Sequence, residues 1–274
     1  MLTSPVFQVI DTEKAPGALF EVVCYQKLQG SDDLAVAEKI FLVNQANIHL
    51  KMVRVTLTQS EIAIEPRALY FMRGDLRLES GVQGGLARGL MRKLVTGETL
   101  FQSKISGSGE VFLEPTFGHF MLVQIEDEAL VVDKGAFYCA SAGLAVTAVL
   151  QRNISSALFG GEGFFQTEIK GSGVVVLNTP VPASELLMIE LDKGEKLSVD
   201  GNFAFARTST VTFQAEKSAK TLFQSLTSGE ALLQTFTGPG VVWIAPTQGV
   251  YHKIKAAGSY ANLADSRGNA TTRT

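Results

Sequence analysis

Histidine, cysteine and acidic side chains are the groups that move protons, hold metals or attack carbon, and in this sequence they are few and scattered. The histidines are His49, His119 and His252, and none forms an H-x-H or H-E-x-x-H arrangement. A metal needs clustered imidazoles, thiolates or carboxylates, so neither a metal-bearing double-stranded β-helix nor a zinc site is expected. The two cysteines, Cys24 and Cys139, sit in apolar surroundings. That setting predicts buried thiols rather than nucleophiles, and two thiols build no disulfide framework. Neither a G-x-S-x-G nucleophile elbow nor a Walker loop occurs. An enzyme is therefore not expected, and neither is a cofactor.

Two polar residues do recur at a fixed spacing. Glu98, Glu162 and Glu230 each follow a glycine (Gly97, Gly161 and Gly229), and a glutamine stands four residues on, at Gln102, Gln166 and Gln234. Acid–base work would need two of the carboxyls in one pocket with separated pKa values. Recurrence in three places points instead to the fold of a repeated unit, with the glutamate entering a turn and the glutamine bonding across a sheet. Gly107-Ser108-Gly109, Gly171-Ser172-Gly173 and Gly238-Pro239-Gly240 recur next. They match a phosphate loop only in part, because apolar strand residues follow where a helix should open. A tight hairpin or a bulge is the expectation there. One cluster stands outside the repetition: Arg88, Arg92 and Lys93 beside Leu86, Leu90 and Leu94. Leucines at i, i+4 and i+8 share a helical face. A basic amphipathic turn of this kind suits an anionic surface, lipid or phosphate, or else forms a solvated rim over a packed leucine face.

The elements that must position these residues come in three copies. An upstream block reads Ile64-Glu65-Pro66-Arg67-Ala68-Leu69-Tyr70, then Val132-Asp133-Lys134-Gly135-Ala136-Phe137-Tyr138, then Val199-Asp200-Gly201-Asn202-Phe203-Ala204-Phe205. Each is an apolar residue, an acidic residue, a turn and an apolar strand. A downstream block carries the Gly-Glu, the glutamine, the Gly-x-Gly and an apolar run. Short runs rich in Val, Ile and Phe between glycine turns read as strands. Many of them at regular spacing predict a sandwich or barrel-like β body. The expected organisation is a single body over 1–264, with units at about 1–120, 121–184 and 185–264, and a polar disordered tail at 265–274. Before the repeat, Ile40 to Val43 and Val53 to Leu57 read as strands that enlarge the first sheet.

Of the 274 residues, 46% are hydrophobic and only 19% charged, below the usual share of about 25%. A chain short of charge hides surface between repeats, between subunits or against a membrane. The net charge of −3 argues against a general nucleic-acid binder. No basic, then apolar, leader opens the sequence, and no run is long enough for a comfortable helical span. A soluble, cytoplasmic protein is expected, with the membrane periphery as an alternative.

The stretch Gly84-Gly85-Leu86-Ala87-Arg88-Gly89-Leu90, running into Gly97-Glu98 and Gly107-Ser108-Gly109, resembles the altered-inheritance-of-mitochondria family, whose bacterial members are widespread and largely uncharacterised. The resemblance runs from about Thr56 to Leu263, and the part before Thr56 departs from the family's N-terminal pattern. It implies an all-β fold of three pseudo-symmetric β-sandwich or barrel-like repeats of the tryptophan RNA-binding attenuation protein type. It also implies a tendency to oligomerise. Eukaryotic relatives are linked to mitochondrial inner-membrane organisation, and no catalytic residues are carried over. The function expected is a non-enzymatic structural or protein-interaction scaffold with a protein partner or self-association, and with peripheral membrane contact as an option. The alternative is a small-molecule module in a cleft between repeats. RNA binding ranks below both.

Overall fold

The computed structural model describes residues 7–79, 103–151, 164–200, 203–217 and 232–257. Arg88, Arg92, Lys93, Gly97, Gly161 and Gly229, with Glu98, Glu162, Glu230, Gln102 and the tail at 265–274, lie outside the described residues.

Strands β1 (Phe7–Ala15) and β2 (Ala18–Tyr25) form an antiparallel hairpin. Helix α1 (Leu34–Gln45) follows, opened by Asp33, whose carboxylate accepts the Val36 backbone N–H at 2.9 Å. The Ile40–Val43 run expected as a strand therefore lies in a helix. The cap fixes the helical start, and no breaker interrupts the chain before Asn44. Val53–Leu57 does lie in a strand, β3 (Lys51–Ile64).

From β3 onward the same pairing scheme recurs. β3 pairs antiparallel with β5 (Ser103–Leu113), and β4 (Leu69–Glu79) pairs with the other edge of β5. β6 (His119–Val132) pairs with β9 (Phe164–Thr179), whose other edge takes β7 (Phe137–Ser141) and β8 (Leu144–Gln151). In the third stretch each long strand is broken in two. β10 (Leu187–Leu191) and β12 (Ala204–Thr208) flank β15 (Gly240–Ile244), while β11 (Lys196–Asp200) and β13 (Thr212–Lys217) flank β14 (Leu232–Thr237). Helix α2 (Gln248–Ala257) ends the described chain.

The architecture is all-β and partly pseudo-symmetric, and among the described residues the strands do not close into separate barrels. One twelve-stranded sheet runs β1-β2-β3-β7-β9-β6-β12-β15-β10 with β4, β5 and β8 branching from it, and a three-stranded sheet holds β11-β14-β13. Strands run on from one unit into the next because the end of β3 pairs with β7 and the end of β6 with β12.

The core follows this continuity. Phe20, Val55, Ile64, Ile105 and Leu113 pack with Phe120, Tyr138 and Val176, so the first core already includes residues of the second unit. A second cluster joins Val132, Phe137, Ile169 and Leu177 to Phe205 and Ala206. Each such side chain removed from water contributes about 1.5–3 kcal/mol, so neighbouring units stabilise one another.

The Gly-x-Gly glycines lie where backbones approach. Gly107 and Gly109 fall inside β5, and Gly171 and Gly173 inside β9, so these are bends within continuous strands rather than hairpin loops. At Gly107 (φ +127°) a Cβ would collide with the Asp75 carbonyl oxygen, and at Gly171 (φ +127°) with that of Gly143. Gly238 and Gly240 bracket the break between β14 and β15, where a Cβ on Gly238 would meet the Asp192 carbonyl and one on Gly240 the Thr208 hydroxyl.

Candidate functional site

The acidic residue of the upstream block lands where one unit meets the next. The Glu65 backbone N–H donates to the Tyr138 carbonyl at 2.8 Å, and the Asp133 N–H to the Phe205 carbonyl at 2.9 Å. Each then turns the chain: Ala68 N–H donates to the Glu65 carbonyl and Ala136 N–H to that of Asp133, both at 3.1 Å. The position that needs positive φ is Gly135 (φ 85°) in one copy and Arg67 (φ 72°) in the other.

At the second of these junctions the buried chemistry concentrates. The Asp133 carboxylate accepts a hydrogen bond from Gln166 Nε2 at 3.0 Å. Arg207, on β12, is 6% exposed, with its guanidinium carbon 5.5 Å from the centre of the Phe213 ring. Burial pushes the Asp133 carboxyl up to about 6, against the opposing pull of the Gln166 bond and the Arg207 charge. Burial likewise brings the guanidinium down to about 10, although Asp133 and Glu168 hold it up. Both partners move toward neutrality, so desolvation outweighs their mutual attraction. Arg207 Nε and one terminal nitrogen, and Gln166 Oε1, have no hydrogen-bond partner among the described residues.

Beside this group a cleft of about 320 Å³ opens between the units, lined by Asp133, Lys134, Asn178, Pro180, Phe205 and Gln248. That volume suits a small molecule. A carboxyl poised near 6 can donate or accept a hydrogen bond close to neutrality. A second cleft, of about 350 Å³, lies over β2 to β5, with the Arg54–Glu21 ion pair at 2.8 Å on its wall.

Other polar residues are spread out. His119 starts β6 and is pushed down by burial and by Lys51, with Glu185 opposing. His49 lies 3.3 Å from the Tyr25 carbonyl, and His252 is on α2. Among the described residues no group of three or more His, Cys, Asp or Glu could hold a metal. Cys24 and Cys139 are buried free thiols whose pKa values burial raises. Of the repeated glutamines, Gln166 and Gln234 are buried. Arg207 drew no attention in the sequence. Its signal was a charge in the apolar strand Ala204-Phe205-Ala206-Arg207, where the matching positions of the other copies hold Met72 and Ala140.

The description mitochondrial biogenesis AIM24 matches residues 15–247. The match begins at Ala15, ahead of the Thr56 from which the sequence resemblance runs, and so takes in β2 and α1. An uncharacterised protein of Streptococcus pyogenes serotype M6 is 28% identical over 165 residues, 59% of this chain and 64% of that protein. The chain thus covers a little under two thirds of that relative's length. An X-ray structure of another Streptococcus pyogenes protein matches with a TM-score of 0.59 at 19% identity, over 76% of this chain and 94% of that one. At that identity the likeness concerns the fold alone.

Proposed function

The chain belongs to the mitochondrial biogenesis AIM24 family, and from that premise we propose that it is a non-catalytic interaction scaffold. The observation that carries this reading is helix α1. Its sequence is mostly apolar, yet none of its residues is buried: Leu34 is 87% exposed, and Phe41 and Leu42 stand open to solvent. Exposed apolar surface of this extent marks an interaction site. The acidic neighbours Asp32, Asp33 and Glu38 disfavour an anionic membrane as its partner, so the occupant is a protein. No helix among the described residues is long and apolar enough to cross a membrane. The free thiols accord with a reducing compartment such as the cytoplasm.

The test is the double variant Phe41→Lys/Leu42→Lys in the source cell. In a gentle extract the parent protein elutes above the mass of one chain, and the variant, still folded by circular dichroism, elutes lower. A parent protein that already runs as a lone chain sinks the reading.

The finer fold reading belongs to the same proposal. The stretches 51–113, 119–179 and 187–244 are pseudo-symmetric copies of one unit of the attenuation-protein type. Support comes from the recurring antiparallel pairing of first and last strands and from the shared acidic turn. A second functional reading, a small-molecule module, is favoured by the cleft at Asp133. A metabolite panel scored by thermal shift tests it, since ligand binding raises apparent stability. Stabilisation by a compound, lost in Asp133→Asn, supports the module, and no stabilisation across the panel removes it for those compounds.

A further inference from the structure

Side chains of alternating sign line the cleft over β2 to β5. Glu21 on β2 lies directly opposite Arg54 on β3, and Glu110 on β5 lies opposite both Thr56 on β3 and Arg73 on β4. All of them share one face of the sheet, because residues two apart on a strand point the same way. The order across the strands is therefore acid, base, acid, base. Leu19 adds an apolar wall, and Gly74 and Gly109 complete the lining of a space of about 350 Å³. That volume falls in the range of small-molecule sites.

The fold itself does not ask for these charges. The units align on Gly109, Gly173 and Gly240, which lie opposite Leu57, Ile125 and Leu191. On that alignment Arg54 answers to Leu122 and Met188, and Glu110 to Val174 and Val241. Arg73 answers to Ser141 and Thr208, whose hydroxyls accept the backbone N–H of Val174 and of Val241, each at 3.0 Å. The first unit thus holds an arginine–glutamate pair where the other two hold a hydroxyl and a valine. Nor are the charges a solvated rim. Glu21 is 8% exposed, and the side chains of Arg54 and Glu110 are 16% and 13% exposed. Buried charge is costly unless closely paired, and the two pairs differ in closeness. Arg54 Nε meets Glu21 Oε2 at 2.8 Å, whereas Arg73 and Glu110 stand 3.9 Å apart with the Arg73 side chain mostly in solvent. The Glu110 carboxylate is largely buried, and Arg73 balances it only loosely.

We propose that this cleft binds a free α-amino acid, its head group seated between Arg73 and Glu110. The ligand carboxylate takes the planar fork of Arg73, and the ligand ammonium donates to the Glu110 carboxylate. One loose ion pair then gives way to two charge-assisted contacts. Two arginines and two glutamates sum to zero, so the cleft complements a zwitterion better than a net anion or cation. The close Arg54–Glu21 pair holds the wall in place. The ligand side chain lies along Leu19 and the aliphatic stem of Arg54. The site belongs to the first unit alone and does not depend on the cleft at Asp133 or on α1.

The experiment measures the melting temperature of the full-length protein with each standard L-amino acid at millimolar concentration, since a ligand of the folded state raises it. The expected result is a rise with one or a few of them. The N-acetyl and carboxamide forms of the same amino acid, each lacking one charge, should give no rise. Arg73→Gln and the near-isosteric Glu110→Gln should keep the parent's circular dichroism and bind that amino acid about tenfold or more weakly by calorimetry. No rise with any amino acid overturns the proposal. Blocked forms that act as well as the free amino acid overturn it in favour of a ligand held by one charge or by apolar contact. A response kept in Arg73→Gln and lost in Asp133→Asn overturns it in favour of the cleft between the units.

Discussion

The hydroxyl of Ser108 accepts a hydrogen bond from the backbone N–H of Gln59 at 2.9 Å, across the strand pair β3–β5. Gln59 sits at φ 48°, where β3 gains an extra residue and its register slips between Leu57 and Ser60. The second unit repeats the arrangement: Ser172 accepts from Asp127 at 3.0 Å, Asp127 is at φ 52°, and the slip falls between Ile125 and Glu128. In the third unit proline replaces the serine, the long strands break, and Gly238 exchanges backbone hydrogen bonds with Gly194 and Glu195 instead. The repeated Gly-x-Gly is thus one half of a device whose other half is a bulge on the facing strand.

From this device the glycines should matter more than the serine. Ser172→Ala removes one bond to an exposed backbone group and should lower stability by about 0.5–1 kcal/mol. Gly171→Ala places a methyl against the Gly143 carbonyl in a conformation that alanine rarely adopts. It should lower stability by about 3 kcal/mol or more. Urea unfolding of the two variants decides the order. Equal losses would mean that the close approach relaxes freely.

Asp133 predicts a pH dependence with a definite sign. Its carboxyl is raised to about 6 from 3.8, so the folded state holds the proton more tightly than the unfolded chain does. The resulting stability is complete below about pH 4 and is lost as pH rises through about 6. The gap corresponds to about 3 kcal/mol. Asp133→Asn cannot ionise and keeps an amide able to bond Gln166. Its stability relative to the parent should therefore rise by about 3 kcal/mol between pH 4 and 7.5. A difference that stays flat over that range removes Asp133 from the account.

Arg207 and Asp133 should couple. Arg207→Met alone strands a buried carboxylate and should lower stability at pH 7.5 by about 3 kcal/mol. It also removes the cation that holds Asp133 down, so the pH midpoint should move above 6. The double variant Asp133→Asn/Arg207→Met should recover most of that loss, because both partners already lean toward neutrality. A double-mutant cycle with additive effects would show that the two do not interact.

What the sequence made legible, and what it hid, follows from the range of the forces involved. The triple pattern was readable because glycines at close approaches and acids at turns are dictated by local backbone geometry, whatever the surroundings. Helix α1 was misread because Ile40-Phe41-Leu42-Val43 is a short apolar run, which suits strand and helix alike. The discriminating signal was Asp33 three residues before Val36. The Asp133–Gln166–Arg207 group was not readable. Its members come from β9, β12 and the turn after β6, whose neighbourhood is fixed by the run-on pairing of β6 with β12, a long-range register. The run-on itself, which replaces separate barrels with one shared sheet, lies in which strand end meets which, and composition does not carry that.

A last prediction concerns the end of the described chain. Glu185, in the turn before β10, accepts hydrogen bonds from the Thr247 hydroxyl and from the Tyr251 hydroxyl, the latter at 2.7 Å. These bonds draw its carboxyl below the usual range and raise the Tyr251 phenol. They tie the first turns of α2 to the start of the third unit, and α2 otherwise presents Val250 and Tyr251 to solvent. Glu185→Ala should therefore release α2 without unfolding the sheets. Amide exchange should speed up across Gln248–Ala257 and stay unchanged in β6 and β9, whose amides are held by the long antiparallel ladder between them. Exchange in α2 that matches the parent would show that packing against Phe203, which lies under Gly249, holds the helix by itself.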